Sequence, residues 1–296
     1  MIKPEWIAVD WGTTHLRVWA MRGNAPVAQA ASDKGMGCLK KDDFEAALVD
    51  LIGDWLSEPV TAVACGMVGS RQGWVEAPYH AAPCSAHPHG FVSPQTKTPN
   101  LTVKVIPGIK QTAPADVMRG EETQIAGFLA LNPDWDGVLC LPGTHTKWVH
   151  VSAGEVVSFQ TFMTGELFAL ISGQSVLRHS LSADGWDQEA FDAGFETAMA
   201  RPERGAAHLF GIRAEALLNG LDGAKARARL SGLLIGAEIA ATKPYWLGQT
   251  VGIIGANTLA GYYASVLRGL GVPTMIAPAQ EATLAGLAMA WASLKG

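Results

Sequence analysis

Charge is scarce in this chain. Only 17% of its 296 residues are Asp, Glu, Lys or Arg, and the net charge is −5 with no basic run. That argues against nucleic acid as the main partner. Cysteine is scarce too. Cys38, Cys65, Cys84 and Cys140 are scattered and form no C-x-x-C pair, a pattern that fits reduced thiols in the cytoplasm. No stretch of about 18 uncharged apolar residues occurs, so no membrane span is expected. The opening "MIKPEWIAVD" lacks a long apolar core, so no secretory signal is expected. G-x-x-x-x-G-K-[ST], H-R-D, D-F-G and G-x-S-x-G are also missing. Their absence excludes a P-loop, a protein kinase and a nucleophile elbow. Apolar residues are plentiful, at 48%. They can fill a large core in one big domain or two ordinary ones, and disorder is not expected.

The most informative feature is a repeat. "IAVDWGTTHLRVWAMRGNAPVAQAA" (7–31) and "VLCLPGTHTKWVHVSAGEVVSFQTF" (138–162) share one plan. An apolar strand runs into a Gly-Thr turn, Gly12-Thr13-Thr14-His15 or Gly143-Thr144-His145-Thr146. A basic residue follows, Arg17 or Lys147. An alternating strand, a Gly turn and a third strand come next. After each hairpin, strands alternate with stretches of helical spacing, as in "DDFEAALVDLIGDWL" and "GEETQIAGFLAL". Both halves therefore read as βββαβαβα, with parallel pairing and helices on the sheet faces. The expected division is 1–134 and 135–296, with a helical insertion at about 174–243 in the second half.

Two such units predict two lobes whose Gly-Thr turns face each other across a cleft. A bare hairpin turn needs no carboxylate and no pair of hydroxyls. Turn amides and hydroxyls bind phosphate oxygens well. Gly12, Thr13 and Thr14 on one side, and Gly143, Thr144 and Thr146 on the other, are the candidate phosphate ligands. Arg17 and Lys147 join them as either phosphate contacts or solvated strand residues. Asp10 is placed to hold Mg²⁺ through water, since that ion keeps several of its waters.

"DWGTTHLR" resembles the first phosphate motif of the superfamily of sugar kinases that includes actin, hexokinase and the heat-shock chaperones, and "LPGTHTKW" resembles the second. "VGIIGANTLAGYY" is similar to the adenosine motif of that superfamily. "ACGMVGSRQGWVEAPY", "VMRGEETQIAG", "LPGTHTKWV" and "FMTGELFAL" look like one branch, the 2-dehydro-3-deoxygalactonokinases. The resemblance spans nearly the whole chain. It implies an α/β fold of two lobes like those of actin and ribonuclease H. It further implies ATP and Mg²⁺ as cofactors, and 2-dehydro-3-deoxy-D-galactonate as the substrate carried to its 6-phosphate. Another sugar or sugar acid on the same fold, or an actin-like nucleotide module, are the alternatives.

The resemblance also assigns roles. A general base must take the proton of the sugar hydroxyl. Kinases of this superfamily usually carry an Asp at the relevant helix start; this chain has Glu121 and Glu122 there. Glu121 is the first choice, with Glu122 and Asp116 as alternatives. The substrate carboxylate calls for a fork of donors, which Arg supplies. Arg71, just past a strand end, is the first candidate clamp and Arg119 the second. Gln72, Trp74 and Glu166 are candidate contacts to the hydroxyls and carbon chain. Gly255, Ala256 and Asn257 should meet adenosine, and Gly232 and Gly236 could help shape that pocket. "HAAPCSAHPHG" holds His80, Cys84, His87 and His89 but matches no tight zinc pattern, so it reads as a plain loop. The sequence leaves a homo-oligomer open.

Overall fold

The computed structural model describes residues 2–182 and 184–295. The chain runs β1 (Trp6–Trp11), β2 (Leu16–Arg22), β3 (Ala25–Ser32), α1 (Phe44–Ile52), β4 (Val60–Gly66), β5 (Tyr79–Ala81), β6 (Cys84–Ser85), β7 (Leu101–Val105), β8 (Gly108–Thr112), β9 (Ala115–Met118) and α2 (Glu121–Leu131). It continues through β10 (Gly137–Leu141), β11 (Thr146–Ser152), β12 (Glu155–Phe162), α3 (Thr164–Gln174), α4 (Gln188–Ala200), α5 (Gly205–Asn219), α6 (Gly223–Ala241), α7 (Lys243–Trp246), β13 (Val251–Gly255), α8 (Asn257–Gly269), β14 (Thr274–Pro278) and α9 (Ala279–Ser293). A five-stranded sheet has the order β3-β2-β1-β4-β7, a six-stranded one β14-β13-β10-β11-β12-β6, and a three-stranded one β5-β8-β9.

The chain divides into two compact units. One comprises Met1–Leu139, Val149–Phe159 and Ala277–Gly296; the other comprises Cys140–Trp148 and Gln160–Ile276. The division is thus not a single cut near residue 134. The C-terminal helix α9 belongs to the first unit because it covers that unit's sheet.

The period of two in β1 explains how. Successive side chains of a strand point to opposite faces. Ile7, Val9 and Trp11 enter one core with Phe44 and Leu48 of α1 and with Trp74. Trp6 and Ala8 enter the other core with Leu287, Ala288 and Ala290 of α9. Trp6 stacks on Trp291 at 5.6 Å between ring centroids. A strand apolar on both faces needs a cover on both, and the helix nearest in sequence supplies only one.

The first half departs from the expected βββαβαβα in two places, the second being the β8–β9 hairpin inserted before α2. No helix joins β4 to β7. A 3-10 turn, Met67–Gly69, leads instead into an irregular stretch with the short strands β5 and β6. Pro78, Pro83, Pro88, Pro94 and Pro99 punctuate it, and proline removes the N–H a helix interior needs. The other unit carries the helical insertion. Its α6 crosses α4 closely: a Cβ on Gly232 would stand 2.1 Å from the Phe191 carbonyl, and one on Gly236 2.6 Å from that of Phe195. Those two glycines therefore serve helix packing, not a ligand pocket.

Candidate active site

The first Gly-Thr turn is braced from behind. Gly12 N donates to His15 O at 2.9 Å, Met36 N to Gly12 O at 3.0 Å, and Gly37 N to Thr13 O at 2.8 Å. The carbonyls are thereby occupied, while the Thr13 and Thr14 side chains stay exposed. Asp10 sits at the end of β1, opposite Arg17 of β2. The Arg17 guanidinium donates to Asp10 Oδ2, so Arg17 neutralises Asp10 across the hairpin. Asp10 Oδ1 meets only the Cys65 thiol, 3.9 Å away, among its described contacts. Asp10, Gly12, Thr14, His15, Arg17 and Asp33 line a cleft of about 520 Å³.

The start of α2 lies beside this turn. Two glycines with positive φ make that possible, Gly66 at 92° and Gly120 at 106°. A Cβ on Gly66 would stand 2.6 Å from the Trp11 carbonyl, and one on Gly120 3.3 Å from Gly66 Cα. L side chains rarely tolerate this region of φ. The two acids that follow differ sharply. Glu122 is buried, accepting from Gly120 N at 2.6 Å and from Thr123 Oγ1 at 3.0 Å. Burial, with the Glu121 charge adding to it, pushes its carboxyl up to about 8. Glu121 is half-exposed, and its Oε2 accepts from Arg119 N at 3.1 Å. Asp116 lies apart from them in sequence, on the β8–β9 hairpin opposite Gln111. Burial holds the Cys65 thiol well above its usual range, and Asp10 and Glu122 push the same way; it is no nucleophile.

The two arginines also separate. Arg71 is on the surface, its side chain 81% exposed and 3.5 Å from Glu76. Gln72 is exposed beside it. Arg119 is only 9% exposed. Its guanidinium donates to Ala77 O at 2.8 Å and lies 4.3 Å from the centre of the Tyr79 ring. Among the described residues its Nε and Nη1 have no hydrogen-bond partner, and neither does the buried hydroxyl of Ser70, next in sequence to Gly69, against which Nη1 packs. Trp74 is a core residue, its ring 6.3 Å from Trp11 and 6.4 Å from Phe44. It has no open face for a sugar.

In the other unit the second Gly-Thr turn is braced by α3. Glu166 N donates to Thr144 O at 3.0 Å, and His145 Nε2 lies 2.6 Å from Glu166 Oε2. Gly143 is half-buried and Thr144 is exposed. Thr146 and Lys147 are buried instead. Thr146 Oγ1 faces the Tyr263 hydroxyl at 3.3 Å, and Lys147 Nζ donates to Thr161 Oγ1 at 2.9 Å. Both faces of β11 are covered at its start, so the two adjacent side chains are buried together, an outcome the motif alone does not reveal. A larger pocket of about 630 Å³ lies alongside, lined by Gly143, Gly165, Phe168, Trp186, Arg227 and Tyr262, among others. Trp186 and Tyr262 stack at 4.2 Å. Gly255 is buried at the end of β13 and Ala256 is exposed. The pocket is lined by Thr258, Leu259 and Tyr262 of the helix that follows. The side chain of Asn257 lies outside the described ones.

A sequence model of the 2-keto-3-deoxy-galactonokinase family matches residues 10–290. The chain belongs to that family. It is 33% identical over 286 residues to the 2-dehydro-3-deoxygalactonokinase of Escherichia coli, covering 96% of each chain. It is 36% identical over 297 residues to a candidate 2-dehydro-3-deoxygalactonokinase, DgoK1, of Rhizobium meliloti, covering 96% of this chain and 95% of that one. The crystal structure of a candidate 2-dehydro-3-deoxygalactonokinase from Sinorhizobium meliloti superposes with a TM-score of 0.88 at 35% identity, covering 97% of this chain and 96% of that one. As a member of this kinase family, the chain is an enzyme that uses ATP.

Sequence reasoning missed several residues of these sites. Glu238 and Trp186 lie outside every motif, while Tyr263 and Ser70 fall inside quoted stretches without being singled out. Only Glu238 left a trace, as a lone acid in the apolar run "LLIGAEIAA". The His80–Cys84–His87–His89 loop holds stacked His80 and His89 rings at 3.9 Å. Among the described residues no group of three His, Cys, Asp or Glu could hold a metal ion.

Proposed function

We propose that this member of the galactonokinase family transfers the γ-phosphoryl group of ATP to the terminal hydroxyl of 2-dehydro-3-deoxy-D-galactonate, giving the 6-phosphate in galactonate breakdown. One observation carries the reading beyond family membership. The turn glycines Gly12 and Gly143 are not demanded by the fold. Neither has a positive φ. Among the described residues a Cβ on Gly12 would make only an ordinary 3.6 Å contact and one on Gly143 would meet nothing within 4 Å. Glycine at both turns is explained by a ligand that must approach the backbone, and exposed Thr13, Thr14 and Thr144 suit phosphate oxygens.

Phosphoryl transfer asks a protein mainly for positioning and charge neutralisation. Asp10 fits Mg²⁺ held through water: Arg17 occupies Oδ2, Oδ1 is left to a water ligand, and the side chain is 14% exposed. Mg²⁺ typically takes one or two carboxylates plus phosphates and keeps its other waters. When bound, the ion supplies neutralisation of phosphate charge. Glu121 takes the sugar proton. Glu122 is protonated at neutral pH, because its carboxyl sits at about 8, and a carboxylic acid already carrying its proton is far too weak a base to take another. Arg119 binds the substrate carboxylate. It is a buried guanidinium with two nitrogens that have no partner among the described residues, and an uncompensated buried charge calls for an anion. Adenine enters the pocket walled by Trp186 and Tyr262. Free thiols at all four cysteines suit a reducing cytoplasm. No described helix is long and apolar enough to cross a membrane.

A coupled ADP-release assay tests the reading. The expected result is release that depends on 2-dehydro-3-deoxygalactonate and exceeds that with other sugar acids. Preference for another sugar acid would reassign the substrate. Release independent of any sugar would make the protein a nucleotide-hydrolysing module.

A further inference from the structure

The pocket that takes the nucleotide in this reading has a buried acid behind its wall. Glu238 of α6 is 2% exposed. Its Oε1 accepts from Trp148 Nε1 at 2.8 Å. Its Oε2 accepts from Tyr263 OH at 2.9 Å and from the Thr164 hydroxyl. Tyr263 OH in turn lies 3.3 Å from Thr146 Oγ1. These partners come from three other elements. Trp148 and Thr146 belong to β11, directly after the second Gly-Thr turn. Thr164 opens α3, and Tyr263 lies on α8. Thr164 and Tyr263 themselves line the pocket, as do Gly143 and Gly165. The start of α3 touches the turn: a Cβ on Gly165 would stand 2.3 Å from the Gly143 carbonyl.

A carboxylate in such a place is costly to desolvate, and no cation is among its described partners. An apolar side chain would fill the same volume without that cost. What an apolar side chain lacks is direction. Three donors converging on one carboxylate fix the rotation of α3 and α8 and the inward face of β11 together, whereas apolar contacts allow sliding. We propose that Glu238 is a positioning residue for nucleotide binding: it holds the Gly143–Thr146 turn, the start of α3 and Tyr263 of α8 in one arrangement around the pocket. It does not touch the nucleotide. The inference rests on the assignment of this pocket to ATP.

The test measures ADP binding by calorimetry and the KM values for ATP and sugar acid in the full chain. Glu238→Met keeps the volume but removes both acceptor oxygens, so the Trp148, Tyr263 and Thr164 donors lose their shared partner. ADP affinity and the KM for ATP should worsen about tenfold, the usual scale for a lost hydrogen bond to a charged group. The KM for the sugar acid should stay within about twofold, since a positioning effect confined to the nucleotide side leaves sugar binding alone. Thr164→Val, which removes one donor, should show the same split. Thr164→Ser, which keeps the hydroxyl, should show a smaller loss. ADP affinity within twofold of wild type in a folded Glu238→Met protein overturns the proposal. So do equal losses for ATP and sugar acid, or Thr164→Val matching Thr164→Ser should Glu238→Met fail to fold. Failure of the functional reading itself would show differently, as no sugar-acid-dependent ADP release in the wild type.

Discussion

Glu122→Gln should flatten the pH dependence of stability and leave catalysis at neutral pH in place. The carboxyl of Glu122 is buried, and its proton is held up to about 8 against an ordinary 4.5. The folded protein therefore binds this proton more tightly than the unfolded chain does. The sign follows: the contribution to stability is complete below 4.5, shrinks as pH rises, and is lost once pH passes about 8. Each pH unit within that window is worth about 1.4 kcal/mol, so the whole span amounts to roughly 5 kcal/mol. Glutamine cannot ionise. Between about pH 6 and 8 the wild type should lose roughly 2–3 kcal/mol that the variant keeps. Urea denaturation followed across that range measures it. Parallel curves for the two proteins would refute the burial argument, because they would mean that Glu122 titrates no differently in the folded chain. Catalysis gives a second readout. Glutamine mimics the protonated acid, so kcat at neutral pH should stay within a few-fold. Glu121→Gln should instead lower kcat by about 10²-fold with little change in the KM for the sugar acid, since a base acts in the transition state. The reverse pattern would move the base to Glu122, and little loss at either would point to Asp116.

Asp10→Asn should fold normally and lose most phosphoryl transfer, because the role proposed for the carboxylate charge is to orient the metal; near-normal turnover rules out that role. Arg119→Ala should raise the KM for the sugar acid by on the order of 30-fold, the equivalent of about 2 kcal/mol for a charged hydrogen bond, with ADP binding by calorimetry unchanged. Arg71→Ala, at an exposed ion pair of small worth, should do little, and a large effect at Arg71 alone would restore it as the clamp. Gly127→Ala should lower the melting temperature: its Cβ would stand 1.8 Å from the Ala282 carbonyl of α9, and overpacking of this kind costs about 1–3 kcal/mol or more. An unchanged melting temperature would show that α2 and α9 part easily.

The linear sequence determined the features that depend on neighbours along the chain. Two Gly-Thr turns between apolar and alternating strands are local patterns, and so are the helical spacings of 44–55 and 121–131. Strand and helix identity followed from them, as did the kinase family, and with it the candidacy of Asp10 and of the acids at the start of α2. Other features depend on which face of an element meets which distant partner. Glu121 and Glu122 are identical side chains one residue apart, yet adjacent helix positions point about 100° apart, and only packing decides which is buried. Arg71 and Arg119 are equal candidates by chemistry. The surface takes one and the core beneath Tyr79 takes the other. Trp74 looks like a sugar contact until Trp11 and Phe44 close over it. The C-terminal helix α9 packs on the sheet begun at Trp6 because that strand is apolar on both faces, a demand that chain order does not answer. Glu238 draws its partners from residues 146–164 and from Tyr263. A carboxylate gains its role there only when three remote elements bring their donors to it, and no window of sequence holds them all.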